Sequence, residues 1–285
     1  MVLERLVNMV LGGAALTVSV FLAALYVYQN KLVYPSWAQG ARQHVDTPDM
    51  YGLPYKEQRL VTKDGVEIRA FDIRKSGSKA TFLVLAPNAG NIGYFLSVAE
   101  MLYKQFSVSV FMYSYRGYGY SQGSPSEQGL KLDADCVMEF MSHDDFYSAQ
   151  KIVLYGRSLG GANAIYIARK YGSLCDAMIL ENTFLSIRKV IPYVFPYLKY
   201  FSFMCHEVWN SEAEMPLVYE DLPVLFLSGL KDEIVPPDHM QKLYDLCRSR
   251  TKGFFTFPLG YHNDTIVQSG YWDIVHDFLE KHMIL

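Results

Sequence analysis

A serine between two glycines, a histidine in a late loop and an aspartate between them in the chain are the residues equipped for chemistry. Ser158 lies in Gly156-Arg157-Ser158-Leu159-Gly160, with Gly161 following. The segment comes directly after Ile152-Val153-Leu154-Tyr155, an apolar run of the buried-strand kind. It opens a helical pattern through Ala162, Ile165 and Ala168. G-x-S-x-G between a strand and a helix is the pattern of a nucleophile elbow, a turn that lifts the serine hydroxyl above a sheet. The flanking glycines leave room for the strand and helix backbones to pass closely. The helix N-terminus beneath favours developing negative charge.

A serine hydroxyl needs a base to become a useful nucleophile. Of the seven histidines, His262 sits in a tight loop after a late strand, Leu259-Gly260-Tyr261-His262-Asn263-Asp264. The base needs an orienting carboxylate, and Asp232 follows the apolar run Val224–Leu227 in Ser228-Gly229-Leu230-Lys231-Asp232. Ser158, Asp232, His262 is the chain order of a strand–turn–helix hydrolase site. Glu233 and Glu181 are the alternative acids and are assigned structural contacts instead. Acyl transfer also needs two N–H donors for an oxyanion. One is expected from Leu159. The other is expected from Asn88 in the early loop Leu85-Ala86-Pro87-Asn88, because Pro87 has no N–H. No metal is expected, since no H-E-x-x-H or comparable ligand spacing occurs. Asp133 and Asp135 read as a solvated helix face.

These residues need elements to hold them. Of 285 residues, 51% are hydrophobic, 15% aromatic and 19% charged, with a net charge of −3. That composition excludes a disordered chain and carries no basic footprint for nucleic acid. Arg59–Phe71 reads as a hairpin around Asp64-Gly65. Strands are expected at 81–86, 107–113, 151–155, 177–180, 223–227 and 254–257. Helices are expected at 94–105, 126–142, 159–171, 239–247 and 264–281. Alternation of this kind implies right-handed βαβ units in a mostly parallel sheet. Residues 183–209 break the rhythm with eight aromatics and with Pro192 and Pro196, which should kink or break any helix. That stretch reads as a cap over an apolar pocket. Four cysteines, at 136, 175, 205 and 247, lie too far apart for a zinc or Cys-x-x-Cys site. Buried thiols are expected, with two disulfides as the alternative in an oxidising lumen.

Val7 to Tyr28 is a run of 22 residues without a charge, 17 of them apolar. A helix of that length spans about 30 Å, the thickness of a bilayer's hydrocarbon core. Tyr26 and Tyr28, just before Lys31, suit an interfacial belt. An uncleaved anchor is expected over residues 1–30, because the run is long for a signal peptide and no clear cleavage site follows. Residues 31–54 read as a juxtamembrane connector and 55–285 as the remaining domain. The flanking charges give no bias in orientation. Asn263-Asp264-Thr265 is a glycosylation sequon beside His262. A glycan there would obstruct the site, which favours a cytosolic face.

Six segments carry a family resemblance over roughly residues 30–285. They are Pro87–Gly93, Tyr115–Gly119, Gly156–Gly161, Glu181–Phe184, Ser228–Asp232 and His262–Asp264. The chain resembles a serine hydrolase of the α/β-hydrolase superfamily, and within it the membrane-anchored subfamily related to the fungal bud-emergence protein. The resemblance implies an α/β-hydrolase fold with an eight-stranded sheet, in which the aromatic stretch is expected to be a small helical cap insertion at about 183–222. It implies no cofactor, and a triad on Ser158, Asp232 and His262. Relatives usually carry His-Gly where Ala86-Pro87 stand here. The expected substrate is an acyl ester or thioester, on a lipid or an S-acylated protein, beside an endomembrane such as the endoplasmic reticulum. An inactive membrane-tethered scaffold is the alternative.

Overall fold

The computed structural model describes residues 2–38 and 40–285. Eight strands form one sheet: β1 (Lys56–Val61), β2 (Glu67–Ile73), β3 (Ala80–Leu85), β4 (Ser109–Tyr113), β5 (Lys151–Arg157), β6 (Ala177–Glu181), β7 (Val224–Gly229) and β8 (Lys252–Phe257). Their spatial order is β1-β2-β4-β3-β5-β6-β7-β8. β1 and β2 pair antiparallel, as do β2 and β4, and the remaining pairs are parallel. β3, β4, β6 and β7 are buried along their whole length. Continuous apolar runs are what a sheet covered on both faces requires.

Among the described residues nine α-helices accompany the sheet: α1 (Val2–Val33), α2 (Leu96–Met101), α3 (Glu127–His143), α4 (Asp145–Ser148), α5 (Leu159–Tyr171), α6 (Ile187–Val194), α7 (Ser211–Glu214), α8 (Pro237–Leu246) and α9 (Tyr271–Lys281). Alternate strand residues feed two cores. Leu83, Phe111, Leu154 and Phe226 pack with α3, α5 and α8 on one face. Phe82, Val110, Val153 and Leu225 pack with α2 and α9 on the other.

Three expectations change in the structure. The helix expected over 94–105 is a 3₁₀ turn, then α2, then a π turn ending at Phe106. The last helix starts at Tyr271 rather than 264, because Gly270 takes a left-handed φ of 77° and the residues before it form the His262 loop. Asp133 and Asp135 are not solvated. Asp133 is fully buried and takes both the backbone N–H and the Nε–H of Arg116 at 2.8 Å. Burial pushes its carboxyl up to about 6, although Arg116 pulls the other way. Asp135 accepts from the Tyr166 and Tyr171 hydroxyls and from Lys170 Nζ. Helix α3 packs beside α5 on the same face of the sheet, so Asp133 and Asp135 both face protein.

The segment between β6 and β7 carries α6, a 3₁₀ run over Pro196–Met204, α7 and a further 3₁₀ turn. Pro192 sits inside α6, and the helix ends two residues later. All four cysteines are free thiols, with Cys205 and Cys247 buried. Helix α1 contains a stretch, Glu4–Val33, long and apolar enough to cross a membrane. Between α1 and β1, Tyr34, Ala41, Val45 and Leu53 are buried against the domain. Replacing Asp133 with Ala leaves the Arg116 Nε–H and backbone N–H without their acceptor while Asp64 still holds its terminal nitrogens, and we expect an unfolding free energy lower by about 1–3 kcal/mol, seen as an earlier chemical-denaturation midpoint.

Candidate active site

Ser158 stands between the last residue of β5 and the first of α5, with φ 54° and ψ −118°. Few non-glycine residues adopt positive φ, and holding one there costs of order 1–3 kcal/mol. The backbone around it fixes the conformation. The Ser158 N–H donates to Glu181 O at 3.0 Å, and the Thr183 hydroxyl donates to Ser158 O at 2.7 Å. The turn tolerates no side chain at its glycines. A Cβ on Gly156 would meet Gly160 O at 2.3 Å, and one on Gly160 would meet Leu85 O at 1.9 Å.

The structure brings the three candidate residues into one line. Ser158 Oγ lies 3.0 Å from His262 Nε2, and His262 Nδ1 lies 2.8 Å from Asp232 Oδ2. With the proton on Nδ1, His262 donates to Asp232 and leaves Nε2 free to accept from serine. All three side chains are at least nine-tenths buried. The other Asp232 oxygen accepts the N–H groups of Ile234 (2.9 Å) and Val235 (2.7 Å). These bonds fix the carboxylate's rotation.

The two alternative acids have other partners. Glu233 accepts the backbone N–H of His262 at 3.1 Å. Glu181 is buried beneath the elbow and accepts from the hydroxyls of Tyr155 (2.6 Å) and Tyr271 (2.7 Å). Desolvation raises its carboxyl above the ordinary value. His239, the other buried histidine, accepts from Leu185 N–H and packs edge-on against Tyr193. Burial and then Lys189 lower it to about 4, so it stays neutral.

A cavity of about 540 Å³ opens over Ser158. Asn88, Leu159, Phe95, Ile187, Val190 and Ile234 are among its walls. Leu159 is the first residue of α5, so its N–H has no partner within the helix. Asn88 is held from two sides: its carbonyl accepts from Tyr118 Oη (2.7 Å), and its Nδ2 donates to Val33 O (3.0 Å). Tyr115 Oη donates to Ala86 O at 2.8 Å. The aromatic segment 115–120 therefore holds the loop that contains Pro87. Among the described residues no group of three His, Cys, Asp or Glu side chains could hold a metal ion.

Sequence reasoning passed over Asn182. Its φ is 45°. Its Nδ2 lies within hydrogen-bond reach of Tyr261 O (3.3 Å), His262 O (3.2 Å) and Thr265 Oγ1 (2.9 Å), and its Oδ1 accepts from Gly229 N–H (2.8 Å). One side chain thus ties the end of β6 to the end of β7 and to the histidine loop. Its place after β6, beside Glu181, was the available signal.

Known proteins match this chain over nearly its full length. The membrane protein YNL320W of Saccharomyces cerevisiae is 62% identical over 97% of this chain and 98% of its own. Protein bem46 of Schizosaccharomyces pombe is 44% identical over 96% of this chain and 93% of its own. The chain belongs to the bem46-like family of α/β-hydrolase-domain proteins. The Arabidopsis thaliana α/β-hydrolase domain-containing protein WAV2 is 36% identical over 91% of this chain and 90% of its own. The family described as serine aminopeptidase, S33, matches residues 78–213. Among solved structures, the Pyrococcus furiosus esterase Pf2001 aligns with a TM-score of 0.69 at 19% identity, covering 85% of this chain and 96% of its own. An α/β-hydrolase from Vibrio vulnificus aligns at 0.71 and 18%, covering 88% and 92%. The fold is that of the α/β-hydrolases, and the family is a hydrolase family.

The Asn182 clamp should act on the position of His262 rather than on substrate. Asn182→Ala is expected to slow ester turnover by about a hundredfold, as a misplacement near 1 Å does. Its circular dichroism should match wild type.

Proposed function

We propose that the protein is a membrane-anchored serine hydrolase that cleaves acyl esters or thioesters. The observation that carries this reading is the continuous hydrogen-bond line from Ser158 Oγ through His262 to Asp232 Oδ2, at the strand ends where hydrolase sites of this fold are built. His262 Nε2 takes the Ser158 proton as Oγ attacks the acyl carbonyl carbon. Asp232 stabilises the imidazolium without taking its proton. The oxyanion accepts hydrogen bonds from the N–H groups of Asn88 and Leu159, where losing one donor costs about 3 kcal/mol of barrier lowering. Collapse breaks the bond from carbonyl carbon to leaving oxygen or sulfur, and His262 protonates the leaving group. Water, deprotonated by His262, then attacks the acyl-serine ester. The acid leaves and Ser158 regains its proton.

The choice of an acyl substrate rests on the pocket. Its lining includes Phe95, Val98, Phe184, Ile187 and Val190, with one cation, Arg157, and no carboxylate among the described residues. An aminopeptidase needs a group that welcomes a substrate ammonium, and a lone arginine repels one. A neutral acyl chain meets no such penalty. Helix α1 supports the membrane location, and we place the protein in an endomembrane, the endoplasmic reticulum foremost.

A fluorophosphonate probe tests the reading. Wild type should become covalently labelled, and Ser158→Ala should not. Asp232→Asn should keep the fold and lower kcat by about four orders of magnitude. Labelling that survives Ser158→Ala would refute the assignment.

A further inference from the structure

A second cavity, of about 530 Å³, runs between helix α1 and the cap. One wall is a stripe of α1: Leu22, Leu25, Gln29 and Val33, at helical spacing. The facing wall includes Ile191 and Val194 of α6 and Leu198 beyond it. Five residues belong to both this cavity and the one over Ser158: Val33, Asn88, Ile187, Val190 and Ile234. The two spaces therefore adjoin along these shared walls. Joined through those walls they would make one channel, apolar along α1 and mixed in lining beside the candidate nucleophile, where Arg157 and Asn263 stand.

The inner end of α1 is fixed as part of that channel. The His206 N–H donates to Gln29 Oε1 at 2.7 Å, and Asn30 Nδ2 donates to Pro125 O at 3.3 Å. Tyr26 packs edge-on against the His206 ring at 5.2 Å. The Asn88 side chain caps the Val33 carbonyl, as described above. Further out along α1, Val10, Leu16 and Val20 stand exposed. On the cap, Tyr197 is 94% exposed, Tyr200 74% and Phe203 67%. Exposed aromatics next to an apolar helix suit a membrane–water interface. With α1 in a bilayer, the channel's outer mouth faces lipid and not water.

Resting on the hydrolase reading above, we infer that the channel between α1 and the cap admits one long unbranched acyl chain directly from the bilayer and delivers its carbonyl to Ser158. The anchor helix is then a wall of the substrate site as well as a tether. An acyl chain passes from hydrocarbon into the channel without first entering water, where every methylene exposed is unfavourable. Leu25 and Ile191, on opposite walls, set how much chain the channel holds.

The test uses the full-length protein in phosphatidylcholine vesicles. Ser158 labelling is timed with a hexadecyl fluorophosphonate dissolved in the bilayer and with an ethyl fluorophosphonate in water. Leu25→Trp and Ile191→Trp fill the channel from either side. Each should lower the ratio of hexadecyl to ethyl labelling by about tenfold or more, the range one misfitted group commands in an apolar pocket. Ethyl labelling reports that a variant has folded. An unchanged ratio in the folded variants overturns the channel and leaves the hydrolase reading standing. No labelling of wild type by either probe overturns the hydrolase reading itself. Monopalmitoylglycerol and an S-palmitoyl peptide, each placed in the vesicles, then separate the two carriers of such a chain. Turnover of the accepted carrier should fall in both variants, and turnover at the wild-type rate in both contradicts the channel.

Discussion

The backbone of Ser158 is the constraint from which the site is built. A serine at φ 54° is unfavourable in isolation and persists only where surrounding bonds over-determine it. Here they come from one neighbour. The end of β6 and the two residues after it, Glu181-Asn182-Thr183, supply a carbonyl for the Ser158 N–H, a hydroxyl for its carbonyl and a clamp for the His262 loop. Parallel pairing of β5 with β6, with Arg157 opposite Glu181, sets these groups beside the elbow. The geometry of the proposed nucleophile and base is thus a consequence of sheet register.

The second dependence runs through the loop after β3. Asn88 is wedged between Tyr118 and the last carbonyl of α1. Segments far apart in sequence, the apolar N-terminal helix and the aromatic run after β4, converge on the same few atoms. That convergence accounts for two features of the composition. The apolar excess of the N-terminus and the aromatic excess near residue 115 meet at the proposed oxyanion loop. It also bears on the Ala86-Pro87 pair. The Ala86 carbonyl is held by Tyr115, so the backbone there has a fixed position without a glycine.

Much of this was legible in the sequence. Alternating apolar runs and helical periods gave the order of strands and helices, because buried parallel strands read as short continuous apolar stretches. The convergence of Ser158, Asp232 and His262 followed from chain order and from strand-end placement. What escaped was tertiary. Nothing local distinguishes Asp133 on a buried helix face from an aspartate on a wet one, since its partner Arg116 is 17 residues away. The roles of Asn182 and of Gln29 depend on contacts 80 and 177 residues distant. The late start of α9 was hidden because Ile266 and Val267 continue a helical pattern through a loop. The cavity along α1 depends on the angle between helix and cap, which no periodicity encodes.

The central claim is that Ser158 attacks a carbonyl whose oxygen is received by Asn88 and Leu159 N–H. The most direct measurement is a crystal structure of the full chain after reaction with an alkyl fluorophosphonate. The account predicts a bond from phosphorus to Ser158 Oγ, with the phosphoryl oxygen about 2.7–3.1 Å from both N–H groups. An adduct on another residue, or a phosphoryl oxygen turned away from both donors, would contradict it.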